Sequence, residues 1–77
     1  MIVYSLRCIN CSDRKRWKEI RAFAQSHNLE LGEIRINRDS ATRDIAMNIS
    51  EDADVTIPFI EHNGKYISLN DNLEKLL

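Results

Sequence analysis

The stretch Ile2-Val3-Tyr4-Ser5-Leu6-Arg7-Cys8-Ile9-Asn10-Cys11-Ser12 decides how the chain is read. Its first half is apolar and β-prone without polar alternation, as a strand buried on both faces of a sheet requires. Arg7 interrupts the run. Cys8 and Cys11 follow, and they are the only cysteines in the chain. From Ser12 to Asn28 the period becomes helical, with Trp17, Ile20, Ala24 and His27 three or four apart and Phe23 beside them. Cys8-Ile9-Asn10-Cys11 therefore sits at a strand-to-helix junction. Such a pair can close a small disulfide, present a reactive thiolate at a helix N-terminus, or supply half of a zinc site.

Downstream, Asn28 is a helix stop and Gly32 opens the next turn. Glu33-Ile34-Arg35-Ile36-Asn37 alternates polar and apolar, as a half-buried strand near a sheet edge does. Strand, helix, strand predicts a parallel pair with a right-handed crossover. Asp39 or Ser40 fits the cap of a second helix, in which Ala41, Ile45 and Ile49 share a face flanked by Ala46 and Met47. Ser50-Glu51-Asp52-Ala53-Asp54 reads as an acidic loop. Thr56-Ile57-Pro58-Phe59-Ile60 reads as a strand, and its proline belongs at the strand start or an edge. Asn63-Gly64 suits a type I′ turn leading to Lys65-Tyr66-Ile67-Ser68-Leu69. Leu73, Leu76 and Leu77 give a short last helix, with Asp71 and Glu74 as its capping box. The expected order is β-α-β-α-β-β-α in one domain over residues 1–77. It is an α/β fold in which three helices flank a four-stranded mixed sheet.

Bulk properties narrow the function. A chain of 77 residues has a small core and buries only about 60% of its unfolded surface. Hydrophobic residues at 43% and charged residues at 30% are a soluble globular balance. A net charge of −1 supplies no global field toward nucleic acid or acidic membranes. No apolar run approaches a spanning helix, and no basic stretch followed by an apolar one opens the chain, so a cytoplasmic location is expected. In a reducing cytoplasm a lone cysteine pair is catalytic or metal-binding rather than structural. Zinc normally needs four ligands, and only His27 and His62 remain, without paired spacing. No metal is expected, and redox chemistry is favoured. The basic run Arg14-Lys15-Arg16-Trp17-Lys18 spreads over several helix faces in a chain of pI about 6.1. It reads as a solvated face beside an electropositive site that can steer an acidic protein partner, and not as a nucleic-acid surface.

Taken in order, the cysteine pair, Thr56-Ile57-Pro58 about forty-five residues later and the Asn63-Gly64 turn make the whole chain resemble a glutaredoxin. The resemblance implies a thioredoxin-like fold with a cis peptide bond between Ile57 and Pro58. Cys8 is the expected nucleophile, ahead of the helix and exposed. Cys11, in the first turn, is expected to be more buried and to resolve the mixed disulfide. Arg7, Arg14 and Lys15 add cationic potential at Cys8. By the resemblance, Arg7 stands nearest the family's usual lysine, and Thr56, Ile57 and Pro58 pair with an extended substrate or glutathione. Asn70 and Asp71 lie where the family's backbone amides take the γ-glutamyl carboxylate.

The chain departs from the family at three places. The loop before Cys8 is about one residue short, so the family's usual lysine has no direct counterpart and Arg7 is the nearest substitute. Ile9-Asn10 replaces the usual Pro-Tyr, and Ser68-Leu69 replaces the usual Gly-Gly, so the Leu69 side chain is expected to crowd the glutathione position. NrdH-redoxins are similar proteins with weakened glutathione binding that are reduced by thioredoxin reductase. The expected activity is reduction of protein disulfides or glutathione mixed disulfides by a monomer without a bound cofactor, glutathione being the co-substrate. The alternatives are a thioredoxin-reductase-dependent electron donor for ribonucleotide reductase, and a redox-inactive interaction module.

Overall fold

The computed structural model describes residues 1–36 and 41–77. Its four strands are β1 (Ile2–Ser5), β2 (Gly32–Arg35), β3 (Phe59–His62) and β4 (Lys65–Ser68). They form one mixed sheet in the order β2-β1-β3-β4. β1 runs parallel to β2 and antiparallel to β3, and β3 pairs antiparallel with β4. The apolar run at the N-terminus is thus central, and β2 is at an edge, as their patterns predict.

Three α-helices are described: α1 (Ile9–Ser12), α2 (Arg14–Ser26) and α3 (Ala41–Ala53). A 3₁₀ turn over Leu73–Leu76 ends the chain. The two sheet faces carry separate cores. Val3, Ile60 and Ile67 meet Ile9, Ile20, Leu69, Leu73 and Leu76 on the face that α2 covers. Phe59, Tyr4 and Tyr66 meet Ala46, Ile49 and Ile57 on the α3 face. Val3 and Tyr4, Ile60 and Phe59, Ile67 and Tyr66 are strand neighbours, so the alternation of the pleat assigns each to its face. Tyr4 stacks on Phe59 with ring centroids 4.8 Å apart, and Phe59 meets Tyr66 edge-on at 6.0 Å.

Local chemistry explains most boundaries. α2 ends in a Schellman arrangement: Asn28 has φ +54°, its N–H reaches Gln25 O, and Leu29 N–H reaches Ala24 O. His27 is the C-cap residue there. Asn63 and Gly64 both have positive φ, +50° and +78°, and form the two-residue hairpin loop. The Ile57–Pro58 bond is cis.

Five sequence expectations are corrected. The first helix is not continuous from Ser12, because Asp13 (φ −142°, ψ 72°) leaves the helical region and caps α2 through Arg16 N–H. Gly32 is no turn; its N–H donates to Met1 O and it begins β2. β3 starts at Phe59 and not at Thr56, since Pro58 offers no N–H and the Thr56 N–H turns to Ser68 Oγ at 3.4 Å. Ser50 to Ala53 continue α3 and are not a loop. Glu51 and Asp52 face solvent while Ile49 and Ala53 carry on the inward stripe. The last turn is capped by Asn72, whose Oδ1 accepts Glu74 N–H, and not by Asp71. At about 3 residues per turn Leu73 and Leu76 stack inward, and Leu77 is left outside.

The buried stripe of α3 also lies one residue from its predicted line. Ala46 is fully buried, whereas Ile45 is 55% exposed and Met47 43%. A methyl side chain at the closest point lets the helix approach Phe59, and the larger neighbours are turned aside. The predicted cap at Asp39 or Ser40, and the end of the second strand at Asn37, lie outside the described residues.

Candidate functional site

Cys8 is the N-cap of α1, with φ −61° and ψ 111°. Its carbonyl accepts Cys11 N–H at 3.2 Å, Ser12 N–H at 3.0 Å and Ser12 Oγ–H at 2.9 Å. These bonds wind the two cysteines onto one isolated turn. Both thiols are free.

The exposure of the pair reverses the expectation. Cys8 is half-buried, and Cys11 is exposed. On a four-residue helix one position faces inward, and Ile9 occupies it at 4% exposure. At 100° per residue Cys11 lies about 160° of arc from Ile9, on the far side, while Cys8 lies about 100° away. The break at Asp13 has a second consequence. Cys8 is the N-cap residue of a single turn and not of the thirteen-residue α2, whose N-cap is Asp13, so α2 contributes little of its dipole to Cys8.

A hydrogen bond to Cys8 pushes the Cys11 thiol above the ordinary cysteine range. Desolvation and the charge of Cys8 act in the same direction, and Arg35 and Arg14 act against it. The neighbouring Cys8 thus disfavours the Cys11 thiolate. Capping Cys8 as a mixed disulfide removes the Cys8 charge and leaves Arg35 and Arg14 in place. The Cys11 thiolate becomes easier to form at the moment it is needed. Cys8→Ala should accordingly lower the pH at which Cys11 titrates, read by ultraviolet thiolate absorbance. An unchanged titration would remove the coupling between the two sulfurs.

A cleft of ≈ 320 Å³ adjoins the pair, lined by Ser5, Leu6, Arg7, Ile9, Ser12, Asp13, Pro58 and Leu69. It brings together the two residues that flank Cys8 and the motif proline. Ser5 is buried, and its hydroxyl donates to Arg7 O at 2.7 Å, which fixes the backbone just ahead of Cys8. Thr56 is exposed, its hydroxyl 3.4 Å from Ser68 Oγ, and Ile57 packs into the Phe59 core. Asn70 and Asp71 do not line the cleft.

Leu69 lines the cleft. Its side chain is 7% exposed in the α2-side core, and its N–H pairs with Pro58 O. A leucine where glycines were anticipated is accommodated because it turns inward and forms part of the wall. Arg16 then fastens the loop: Nε donates to Leu69 O at 2.6 Å and Nη2 to Asp71 O. No local sequence signal marks Arg16, whose partners are 53 and 55 residues away. Asp71 accepts Asn72 N–H and pairs with Lys75, and these contacts hold its carboxyl below the usual range.

No family model, curated protein or solved structure matches the chain. Its function must be argued from the site's own chemistry. Among the described residues no three His, Cys, Asp or Glu side chains converge as metal ligands, and no helix is long and apolar enough to cross a membrane.

Proposed function

We propose that the chain is a thiol–disulfide oxidoreductase of glutaredoxin type with a thioredoxin-like fold. The observation that carries this reading is the pair of free thiols, Cys8 and Cys11, wound onto one turn beside a cleft shared by Arg7 and Pro58. In the first step the Cys8 thiolate attacks one sulfur of a substrate disulfide. A Cys8–substrate disulfide forms, and the other substrate sulfur leaves as a thiolate and takes a proton. Cys11 then loses its proton and attacks the Cys8 sulfur. The Cys8–Cys11 disulfide closes, and the substrate leaves with both sulfurs reduced. Two electrons have passed from protein to substrate. A separate reductant, two monothiols or one dithiol, must return them and is itself oxidised to a disulfide.

Glutathione and thioredoxin reductase are the two candidate reductants. The Asp71 N–H, one of the backbone amides that the resemblance assigns to the γ-glutamyl carboxylate, is already donated to Ser68 O at 3.0 Å, which favours the thioredoxin-reductase route of the NrdH-redoxins. Ribonucleotide reductase is then a candidate acceptor. The test is an assay of insulin disulfide reduction run once with glutathione and glutathione reductase, and once with thioredoxin reductase. Turnover with either supports the oxidoreductase reading and identifies the reductant. If neither reductant reopens the oxidised pair, the chain is a redox-inactive binding module.

A further inference from the structure

α2 carries a row of unengaged cations that begins at the dithiol. Arg14, Lys18 and Arg21 are spaced by four and three residues, which gathers them within about 60° of arc over roughly 10 Å of helix. The sequence reading spread the basic residues over several faces. Lys15 and Arg16 do lie elsewhere, but these three share one face. All three are exposed. Among the described residues no ion pair and no hydrogen bond engages Arg14, Lys18 or Arg21. Glu19, the single acidic residue of α2, falls off the row.

Two further features extend this surface. Arg35, at the end of β2, acts on Cys11 together with Arg14, so positive potential flanks the pair from two elements. A shallow depression of ≈ 160 Å³, lined by Lys18, Arg21, Ala22 and Gln25, continues the row away from the thiols. At the opposite rim Leu6 is 58% exposed beside the apolar cleft.

We propose that the Arg14-Lys18-Arg21 row docks an acidic segment of a protein partner, which carries the partner's disulfide to Cys8. The proposal rests on the redox reading above. Charge complementarity selects the occupant: in a chain of net charge −1, this face gathers three exposed cations, none of them ion-paired among the described residues, beside the reactive sulfurs. Nucleic acid fits less well. Trp17 packs against the core, none of the chain's aromatic residues is exposed, and bases would find no stacking platform.

The test uses stoichiometric reduced protein and two disulfide-bridged peptides of matched sequence, one flanked by glutamates and one by lysines. The acidic peptide should be reduced about tenfold faster at low ionic strength, the lower end of electrostatic steering. The gap should close as added salt shortens the screening length to about 8 Å. Lys18→Gln/Arg21→Gln should lose most of the preference while reducing a small uncharged disulfide at the parent rate. Arg14 is left intact because it also acts on Cys11. Equal rates for the two peptides overturn the proposal, as does a preference that survives in the double variant. A single-stranded oligonucleotide that binds the parent and not the variant, without any peptide preference, overturns it in favour of nucleic acid. Failure of the parent on the small disulfide is a separate result. It overturns the redox reading, and the docking proposal with it.

Discussion

Cys8→Ser should abolish disulfide reduction, with turnover falling on the order of a thousandfold or more, because the hydroxyl is no substitute for a thiolate at this pH. Cys11→Ser should behave differently. It should keep the first attack and stop there, accumulating a Cys8–substrate mixed disulfide visible by mass spectrometry. The assignment is not trivial, since exposure alone would make Cys11 the attacker. Thiolate availability decides against that choice. Only the ionised sulfur attacks, and the neighbouring Cys8 pushes the Cys11 thiol up, which disfavours its thiolate. The sign of the pH effect follows from the same shift. A raised thiol range means a smaller thiolate fraction at any given pH below it, so the Cys11 step should accelerate as pH rises toward and past the ordinary cysteine value of about 8.5. Mixed-disulfide trapping by Cys8→Ser, with Cys11→Ser inert, would exchange the two roles.

What the sequence conveys about this molecule is what neighbouring residues decide among themselves. Asn63-Gly64 dictates a tight turn because both positions need positive φ, and the register of β3 on β4 follows from it. The unbroken apolar run before Arg7 gives the central strand, since only a strand covered on both faces can omit polar alternation. Asn28 ends α2 for an equally local reason.

The failures occur where distant parts compete. Asp13 has the composition of a helix cap, but whether the chain breaks there depends on Ile9 reaching the core of Val3 and Ile20. That break exchanges the exposures of Cys8 and Cys11. The face of α3 turns on which residue best fits over Phe59, and Ala46 fits better than the larger Ile45. Leu69 was judged against a family position. Its direction is set by the Pro58 carbonyl and by Arg16, neither of them near in sequence. The motif cysteines and the cleft proline were therefore legible. The wall between them, and which of the two sulfurs is exposed, were not.

Phe59→Ala should remove a quarter or more of the protein's folding stability, and all of it at the lower end of the range for a chain of this size. Phe59 is fully buried, is the largest such side chain, and is the ring on which Tyr4 stacks and Tyr66 abuts. Truncating a buried phenylalanine costs about 3–5 kcal/mol from lost transfer and the cavity left behind. A chain of 77 residues holds roughly 4–12 kcal/mol in total at typical stability per residue. The α3 face has little with which to refill the void, because Ala46 is small and Ile45 and Met47 point outward. Loss of the ring also takes the main contact between α3 and the sheet, so the damage should spread to Ile36, Val55 and Ile57. Thermal unfolding should show a midpoint lower by at least roughly 12 °C, at about 4 °C or more per kcal/mol for a domain this small. Leu77→Ala, at a side chain 53% exposed, should stay within about 0.5 kcal/mol of the parent and serves as the comparison. A Phe59→Ala midpoint within a few degrees of the parent would mean that α3 is held by contacts other than the Phe59 cluster. The site would report the same loss: Ile57, which leads into the cleft proline, packs on this cluster, so the variant should lose disulfide reduction in step with its folded fraction.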